Sequence, residues 1–204
     1  MDLTLFDWHT HRLEAPPHRA VINLPMEALL CPRQFRFRED CLYSAGIHPL
    51  YDGDWEKAFS GLQWLSEQGR LYAIGECGLD RPNRDLFPKQ CAFFEKQMAL
   101  AQEKALPLIV HCVGHWEVLL RLHRKYPSDK LRLVHGFRGK PELARQLLAA
   151  GFSLGFGLRY NEQSFLLCPS CRRRMETDDE HCSIEQVAEK QNDTISRACS
   201  IGND

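Results

Sequence analysis

Short apolar runs recur along the chain, and polar segments with helical periodicity separate them. Leu108–Val110 and Leu133–Val134 show no polar alternation, which is typical of parallel strands covered on both faces. Between such runs, residues Trp55–Gln68 and Phe87–Lys104 repeat apolar side chains three and four positions apart, as amphipathic helices do. The pattern predicts an α/β protein in which strands and helices alternate.

About eight strands are predicted in this way. They are Leu3–His11, Ala20–Leu24, Leu42–Pro49, Leu71–Gly78, Leu106–His111, Leu131–His135, Phe152–Phe156 and Arg173–Asp178. Eight strands in series with helices between them predict a compact (β/α)8 TIM-type barrel with short loops. A doubly wound open sheet is the alternative, and it is disfavoured because no Gly-rich phosphate loop follows the first strand.

The C-terminal part of the chain fits the barrel least well. Arg173 and Arg174 lie where the last strand should carry apolar residues. After it, Ser183 is predicted to cap a helix over Ile184–Lys190, with Gln186 completing a capping box.

Composition and charge narrow the class of protein. The chain has 204 residues, 44% of them hydrophobic, and a formal net charge of -1. One globular domain over residues 1–204 is expected, without the basic excess that advertises nucleic-acid or membrane binding. We expect no signal peptide and no membrane span. The nine cysteines are expected to be reduced thiols of a cytoplasmic protein.

Cys168 and Cys171 could belong to a zinc knuckle, but a loop with incidental thiols is favoured because a second pair at that spacing is missing.

Candidate chemistry lies at the predicted strand ends. In a barrel these ends open onto one face, where active sites are built. The residues found there are His9, His11, His48, Glu76, His111, His135 and Asp178. Each one singly could be an ordinary buried or turn residue. Together they are a donor set that suits borderline divalent ions.

The same segments carry a family resemblance. FDWHTH, SAGIHP, AIGECGLD, LPLIVHC, LVHGF, LGFG and METDD together resemble the TatD family of metal-dependent hydrolases, from Phe6 to Asp179. The resemblance implies two divalent ions, with Mg²⁺, Mn²⁺ or Zn²⁺ as candidates, and a DNase that removes nucleotides from 3′ ends. It implies that one ion is held by His9, His11 and Asp178, the second by His111 and His135, that Glu76 bridges them, and that His48 and Asp80 lie near the substrate.

Physical chemistry supports this assignment. A bridging carboxylate such as Glu76 can hold two cations about 3.5–4 Å apart, and the pair lowers the pKa of a water between them. Asp178 is placed to ligate and also to take a proton from that water. Arg138, just beyond His135, could face a phosphate, whereas the run Arg172–Arg174 is more typical of a solvated edge.

Two other functions stay open from the sequence. The near-neutral charge favours an amidohydrolase-like enzyme that acts on a small amide, ester or phosphoester. A non-catalytic metal-binding barrel is the third hypothesis, and no obligate protein partner is evident. The chain is also shorter than most TatD members, and it stops at Ile201–Asp204, where we expect members of that family to continue into an apolar segment.

Overall fold

A single parallel sheet runs through the computed structural model, which describes residues 5–81 and 84–201. The sheet has eight strands in sequence order. They are β1 (Asp7–Thr10), β2 (Ala20–Asn23), β3 (Leu42–Ala45), β4 (Ala73–Leu79), β5 (Leu108–Cys112), β6 (Arg132–Val134), β7 (Ser153–Phe156) and β8 (Arg173–Met175). The predicted barrel is confirmed. The doubly wound alternative is wrong, because every strand pairs with the next one and the order never reverses.

The barrel closes just beyond the end of β8. Thr10 and Asp178 form a parallel bridge. The Asp178 amide donates to the His9 carbonyl at 2.9 Å, and the His11 amide donates to the Asp178 carbonyl at 3.1 Å. The seam of the barrel therefore runs through three of the predicted ligands, so the first and last strands hold them next to each other.

The helices of the described chain are uneven in length. They are α1 (Met26–Leu30), α2 (Trp55–Glu67), α3 (Phe87–Glu103), α4 (Trp116–Lys125), α5 (Pro141–Ala149), α6 (Glu162–Leu167) and α7 (Ile184–Ile201). Residues 11–19, between β1 and β2, contain no helix. The βα units are thus shortened on the side of β1 and β2, which is how eight strands fit into this length of chain.

The last helix is longer than the sequence predicted. Ser183 and Gln186 form the expected capping box, with contacts of 2.9 and 3.3 Å, but α7 continues past Lys190 to Ile201. The part of α7 beyond Lys190 is held by buried polar side chains. Gln191 donates to the Phe156 carbonyl at 2.9 Å, and Thr194 meets the Tyr160 hydroxyl at 2.9 Å. The pattern of apolar residues does not predict a helix segment that is held by polar side chains in this way.

Arginines on β8 are accommodated by stacking on aromatic rings. The Arg173 guanidinium lies 4.5 Å from the Phe165 ring centre, and that of Arg174 lies 4.6 Å from the Trp8 ring centre. Their stems cover apolar surface while their charges reach backbone carbonyls. Strand β8 therefore pairs normally with β7 despite its composition.

A small apolar cluster lies inside the barrel. It is formed by Phe6, Val21, Ala73 and Ile109. Strands β2 and β4 are not neighbours, so their side chains meet only across the interior. Because alternate residues of a strand point the same way, Asn23 and His111 follow Val21 and Ile109 on the inner face, one layer nearer the strand ends.

Candidate metal centre

Glu76, on β4, lies at the centre of the converging histidines. It is 5% exposed, and its two oxygens face different sets of rings. Oε2 lies 3.5 Å from His9 Nε2 and 3.3 Å from His11 Nε2. Oε1 contacts Nε2 of His48 at 3.2 Å, Nδ1 of His111 at 2.8 Å and Nε2 of His135 at 2.7 Å. One carboxylate therefore contacts five side chains from four other strand ends.

His9, His11 and Asp178, together with Oε2 of Glu76, have the spacing of metal ligands. Asp178 Oδ1 lies 3.5 Å from Nε2 of both His9 and His11. Ligands at about 2.1 Å in a tetrahedron are about 3.4 Å apart. These contacts are longer than good hydrogen bonds. Within the described chain, neither ring nitrogen of fully buried His9 has a hydrogen-bond partner. A divalent ion among these four side chains would satisfy Nε2, so the residues fit the metal that the family resemblance implies.

Charges in the cluster stabilise one another. Burial alone would raise the pKa of Glu76, but His135, His11 and His111 outweigh it and hold the pKa well below its usual value. Burial would lower the pKa of His9, yet Asp178 and Glu76 raise it to about 10. Metal binding must displace such protons, so it is favoured as the pH rises.

His48 belongs to the cluster but differs from the other rings. It joins Glu76 and His111 in a second group whose donor atoms lie within 4.8 Å of one another. Its Nδ1 accepts the Leu50 amide hydrogen at 3.1 Å. A neutral ring bonded in this way carries its hydrogen on Nε2, so His48 is oriented as a donor toward the cluster. Its role at the substrate stays a prediction.

Asp80 is buried rather than open to the cluster mouth. It is 6% exposed, and its Oδ2 contacts His111 Nε2 at 2.7 Å. With no ion present, a protonated His111 donates from Nδ1 to Glu76 and from Nε2 to Asp80. When the ring loses the Nδ1 proton, Asp80 keeps the hydrogen on Nε2, and the Nδ1 lone pair becomes available to a divalent ion. This is the carboxylate–histidine arrangement that orients metal-binding rings. The sequence-based prediction that Asp80 lies near the substrate stays a prediction.

Asn23 supports Glu76 and was missed in the sequence. Its Oδ1 accepts the Glu76 amide hydrogen at 2.8 Å and the Ser44 hydroxyl at 3.2 Å. It fixes the backbone from which the central carboxylate projects. The available signal was its place at the end of an apolar strand, the same signal that identified the histidines.

Asp178 is held by residues from both sides of the seam. Its backbone has a φ of 52°, a left-handed conformation that is uncommon outside glycine. The preceding residue, Thr177, donates its amide to Asp7 Oδ1 at 3.1 Å and its hydroxyl to Asp7 Oδ2 at 2.6 Å. Asp7 is therefore a structural carboxylate that fixes the turn carrying Asp178.

A second buried glutamate lies behind the cluster. Glu176 is 1% exposed, and it accepts the Gly136 amide hydrogen. Burial raises its pKa to about 8. A Cβ at Gly155 would collide with Glu176 Oε2, so the glycine in β7 makes room for this carboxyl. In the sequence Glu176 was weighed only as a rival of Asp178.

The zinc-knuckle alternative has no support in the described chain. All nine cysteines are free, and the possible metal-binding groups among the described residues contain only histidine and carboxylate side chains. Nor does any helix in the described ranges combine the length and the apolar character that crossing a membrane requires.

Comparison with solved structures identifies the same fold. The chain superposes on YjjV, a TatD homologue from Escherichia coli K12, with a TM-score of 0.75 and 20% identity over 93% of this chain and 88% of that one. A TatD family hydrolase from Entamoeba histolytica gives a TM-score of 0.61 at 17% identity, over 86% and 73% of the two chains. At these identities the likeness concerns the barrel alone.

Comparison of sequences identifies the family. A relative from Erwinia billingiae, named 3′-5′ ssDNA/RNA exonuclease TatD, is 34% identical over 150 residues, 68% of this chain and 57% of the relative. A metal-dependent hydrolase of uncharacterised function from Haemophilus influenzae is 32% identical over 131 residues, 59% of this chain and 49% of the relative. The chain spans about half the length of the curated relatives it matches. The family model for TatD-related DNases matches residues 32–178, which confirms the resemblance read from the motifs: this chain belongs to the TatD-related DNase family.

Proposed function

We propose that this chain is a divalent-metal-dependent hydrolase that cleaves phosphodiester bonds in DNA. The observation that carries the proposal is the division of the Glu76 oxygens between two sets of imidazoles. One ion would be held by His9, His11, Asp178 and Glu76, and a second by Glu76, His111 and His135. Four histidines and two carboxylates match the ligand preferences of Zn²⁺ and Mn²⁺ and tolerate Mg²⁺.

Bound there, a pair of divalent ions would supply Lewis-acid chemistry by acidifying a water and neutralising charge on the phosphate. The protein side chains have complementary tasks. Burial would raise the pKa of Asp178, but His11 and His9 outweigh it and hold the pKa far below its usual value. Asp178 thus stays ionised and accepts the hydrogen bond of the attacking water. His48 donates from Nε2 to a phosphate oxygen, and Asp80 keeps His111 in orientation.

The family supports a nucleic-acid substrate. The Erwinia billingiae relative is named for exonuclease action on single-stranded DNA and RNA in the 3′-to-5′ direction. A net charge of -1 is compatible with gripping a few nucleotides at one end rather than a long duplex. We therefore propose single-stranded 3′ ends as the substrate.

The first experiment compares end-labelled single-stranded oligonucleotides with Mn²⁺ or Mg²⁺ present. We expect stepwise shortening from the 3′ end, loss of activity with a chelator, and recovery when the ion is returned. Glu76→Gln should be inactive. Glu67→Gln, an exposed glutamate at the end of α2, is the matched control and should behave as wild type.

Two outcomes would replace this proposal. Intact DNA beside rapid hydrolysis of small amides, esters or phosphoesters would favour the small-substrate enzyme. Fewer than one ion bound per chain, with none recruited on titration, would favour the non-catalytic barrel.

A further inference from the structure

A cavity of about 520 Å³ opens beside the metal centre, between the loops that follow β5 and β6. Its inner wall includes His111, His135 and Asp178. Its volume lies within the range of ligand pockets, about 300–1,000 Å³. The cavity is therefore continuous with the proposed reaction centre, and whatever fills it lies next to the bond that is cleaved.

The outer wall of the cavity is apolar. It includes half-buried Trp116, which packs edge-on to Phe137 with ring centres 6.3 Å apart. Val113 lies at the rim and is 44% exposed, one of four large apolar side chains in the described chain at 36% or more. An indole and exposed aliphatic surface beside a polar centre suit a flat, partly apolar group.

Two arginines flank this apolar wall. Arg81 lies against the β5 loop, where Gly114 has a φ of 80°, and a Cβ at Gly114 would collide with the guanidinium. Arg138 is 52% exposed and lies 3.8 Å from Glu180, whose carboxylate is 2.6 Å from Arg159. Arg138 is thus the more loosely held of the two cations at Glu180. Guanidinium groups at both sides complement a phosphodiester backbone.

We propose that this cavity is the subsite for the nucleotide next to the scissile phosphate, with its base against Trp116 and its backbone phosphates near Arg81 and Arg138. The inference rests on the proposed DNase function and adds the means of holding the substrate. Stacking tolerates any base, because each has a π-face. A base in a duplex would first have to leave its stack, so the subsite favours unpaired ends.

A double-mutant cycle with abasic substrates tests the contact between base and indole. Oligonucleotides carry an abasic residue at the last or the penultimate 3′ position. For wild type we expect kcat/KM to fall about 5- to 150-fold on one of them, the range that base stacking implies. Trp116→Leu, which retains apolar bulk, should lose about as much on the intact substrate and nothing more on that abasic one. Trp116→Phe should lie between. Equal losses on intact and abasic substrates at both positions would overturn the subsite.

The salt dependence of KM tests the two arginines. Arg81→Gln and Arg138→Gln should each reduce the slope of log KM against log salt by about 0.7, the value for one contact to a single strand. Arg145→Gln is the control, because Arg145 is an exposed arginine on α5 outside the cavity. Unchanged slopes for Arg81 and Arg138 would remove them from the site. If wild type cleaves no oligonucleotide with any ion, the proposed function itself fails, and that result is distinct from an active enzyme indifferent to Trp116.

Discussion

Two buried glutamates of this barrel have pKa values shifted in opposite directions. Glu76 lies in the middle of β4 and is 5% exposed. Glu176 follows β8 and is 1% exposed. Burial raises the pKa of both. For Glu76 the surrounding imidazoles reverse the effect. For Glu176 they do not, and its pKa is about 8.

The difference lies in the partners that the strands deliver. Glu76 receives hydrogen-bond-range contacts from His11, His111 and His135, whereas Glu176 receives one backbone amide, that of Gly136, and is repelled by the charge of Asp178. A buried carboxylate is costly unless cations or donors surround it. Burial alone therefore does not predict that a carboxylate binds a metal. Histidines around the carboxylate do predict it.

The largest test of this contrast is metal binding by the two isosteric variants. At a free ion concentration about 100-fold above Kd, binding adds about 2.7 kcal/mol to stability, which raises Tm by about 5–10 °C for a chain of this size. We expect Glu76→Gln to lose this shift, because an amide cannot bridge two cations as a carboxylate does. Glu176→Gln should keep it. Thermal melts with and without Mn²⁺ measure both.

The rates of DNA cleavage by the two variants should differ in the same way. Losing the metal pair removes several kcal/mol of transition-state stabilisation, so cleavage by Glu76→Gln should fall on the order of 10³-fold or more. Glu176→Gln should stay close to wild type. Equal losses in both variants would mean that the carboxylates act as one unit, and the contrast would be broken.

The next test is the pH dependence of stability in chelator-treated protein. Glu176 keeps its proton in the folded state up to a pH of about 8, while its ordinary pKa of 4.5 applies when unfolded. Between those values the unfolded state releases a proton, so the free energy of unfolding falls as the pH rises. Glu176→Gln removes this contribution. The free energy of unfolding of the variant, relative to that of wild type, should therefore rise by about a few kcal/mol between the two pKa values.

Urea unfolding at several pH values from 5 to about 8 measures the difference between the two proteins. Glu67→Gln, on the exposed end of α2, should follow the wild-type curve. Parallel curves for wild type and Glu176→Gln would show that Glu176 is ionised in the fold, and the two glutamates would then be alike.

The sequence predicted the elements of this contrast unevenly. The barrel and the histidines at its strand ends followed from apolar runs that stop at a ring, since parallel strands bring their ends to one face. The ligand roles of those residues stay predictions. Asn23 was missed although it ends an apolar strand, because asparagine there also suits a turn.

Side-chain direction was beyond the sequence. The pairing register is irregular between Asp7 and Thr10 and again between Ile74 and Cys77, so simple alternation does not say which way His9 or Glu76 points. The buried position of Glu176 depends on space left by Gly155, a residue some twenty positions away in the chain. Such facts arise from three-dimensional packing and have no local signature.

The smallest expected effect concerns Asn23, which distinguishes the surroundings of Glu76 from those of Glu176 at the backbone. Asn23→Ala removes the acceptor of the Glu76 amide and should weaken metal affinity about 10- to 100-fold, as loss of an outer partner of a ligand does. Calorimetric titration with the ion measures this affinity. Asn161→Ala is the control: it removes the N-cap of α6 and should cost about 1 kcal/mol of stability with metal affinity unchanged. If both variants shift affinity equally, general destabilisation rather than positioning of Glu76 is the cause.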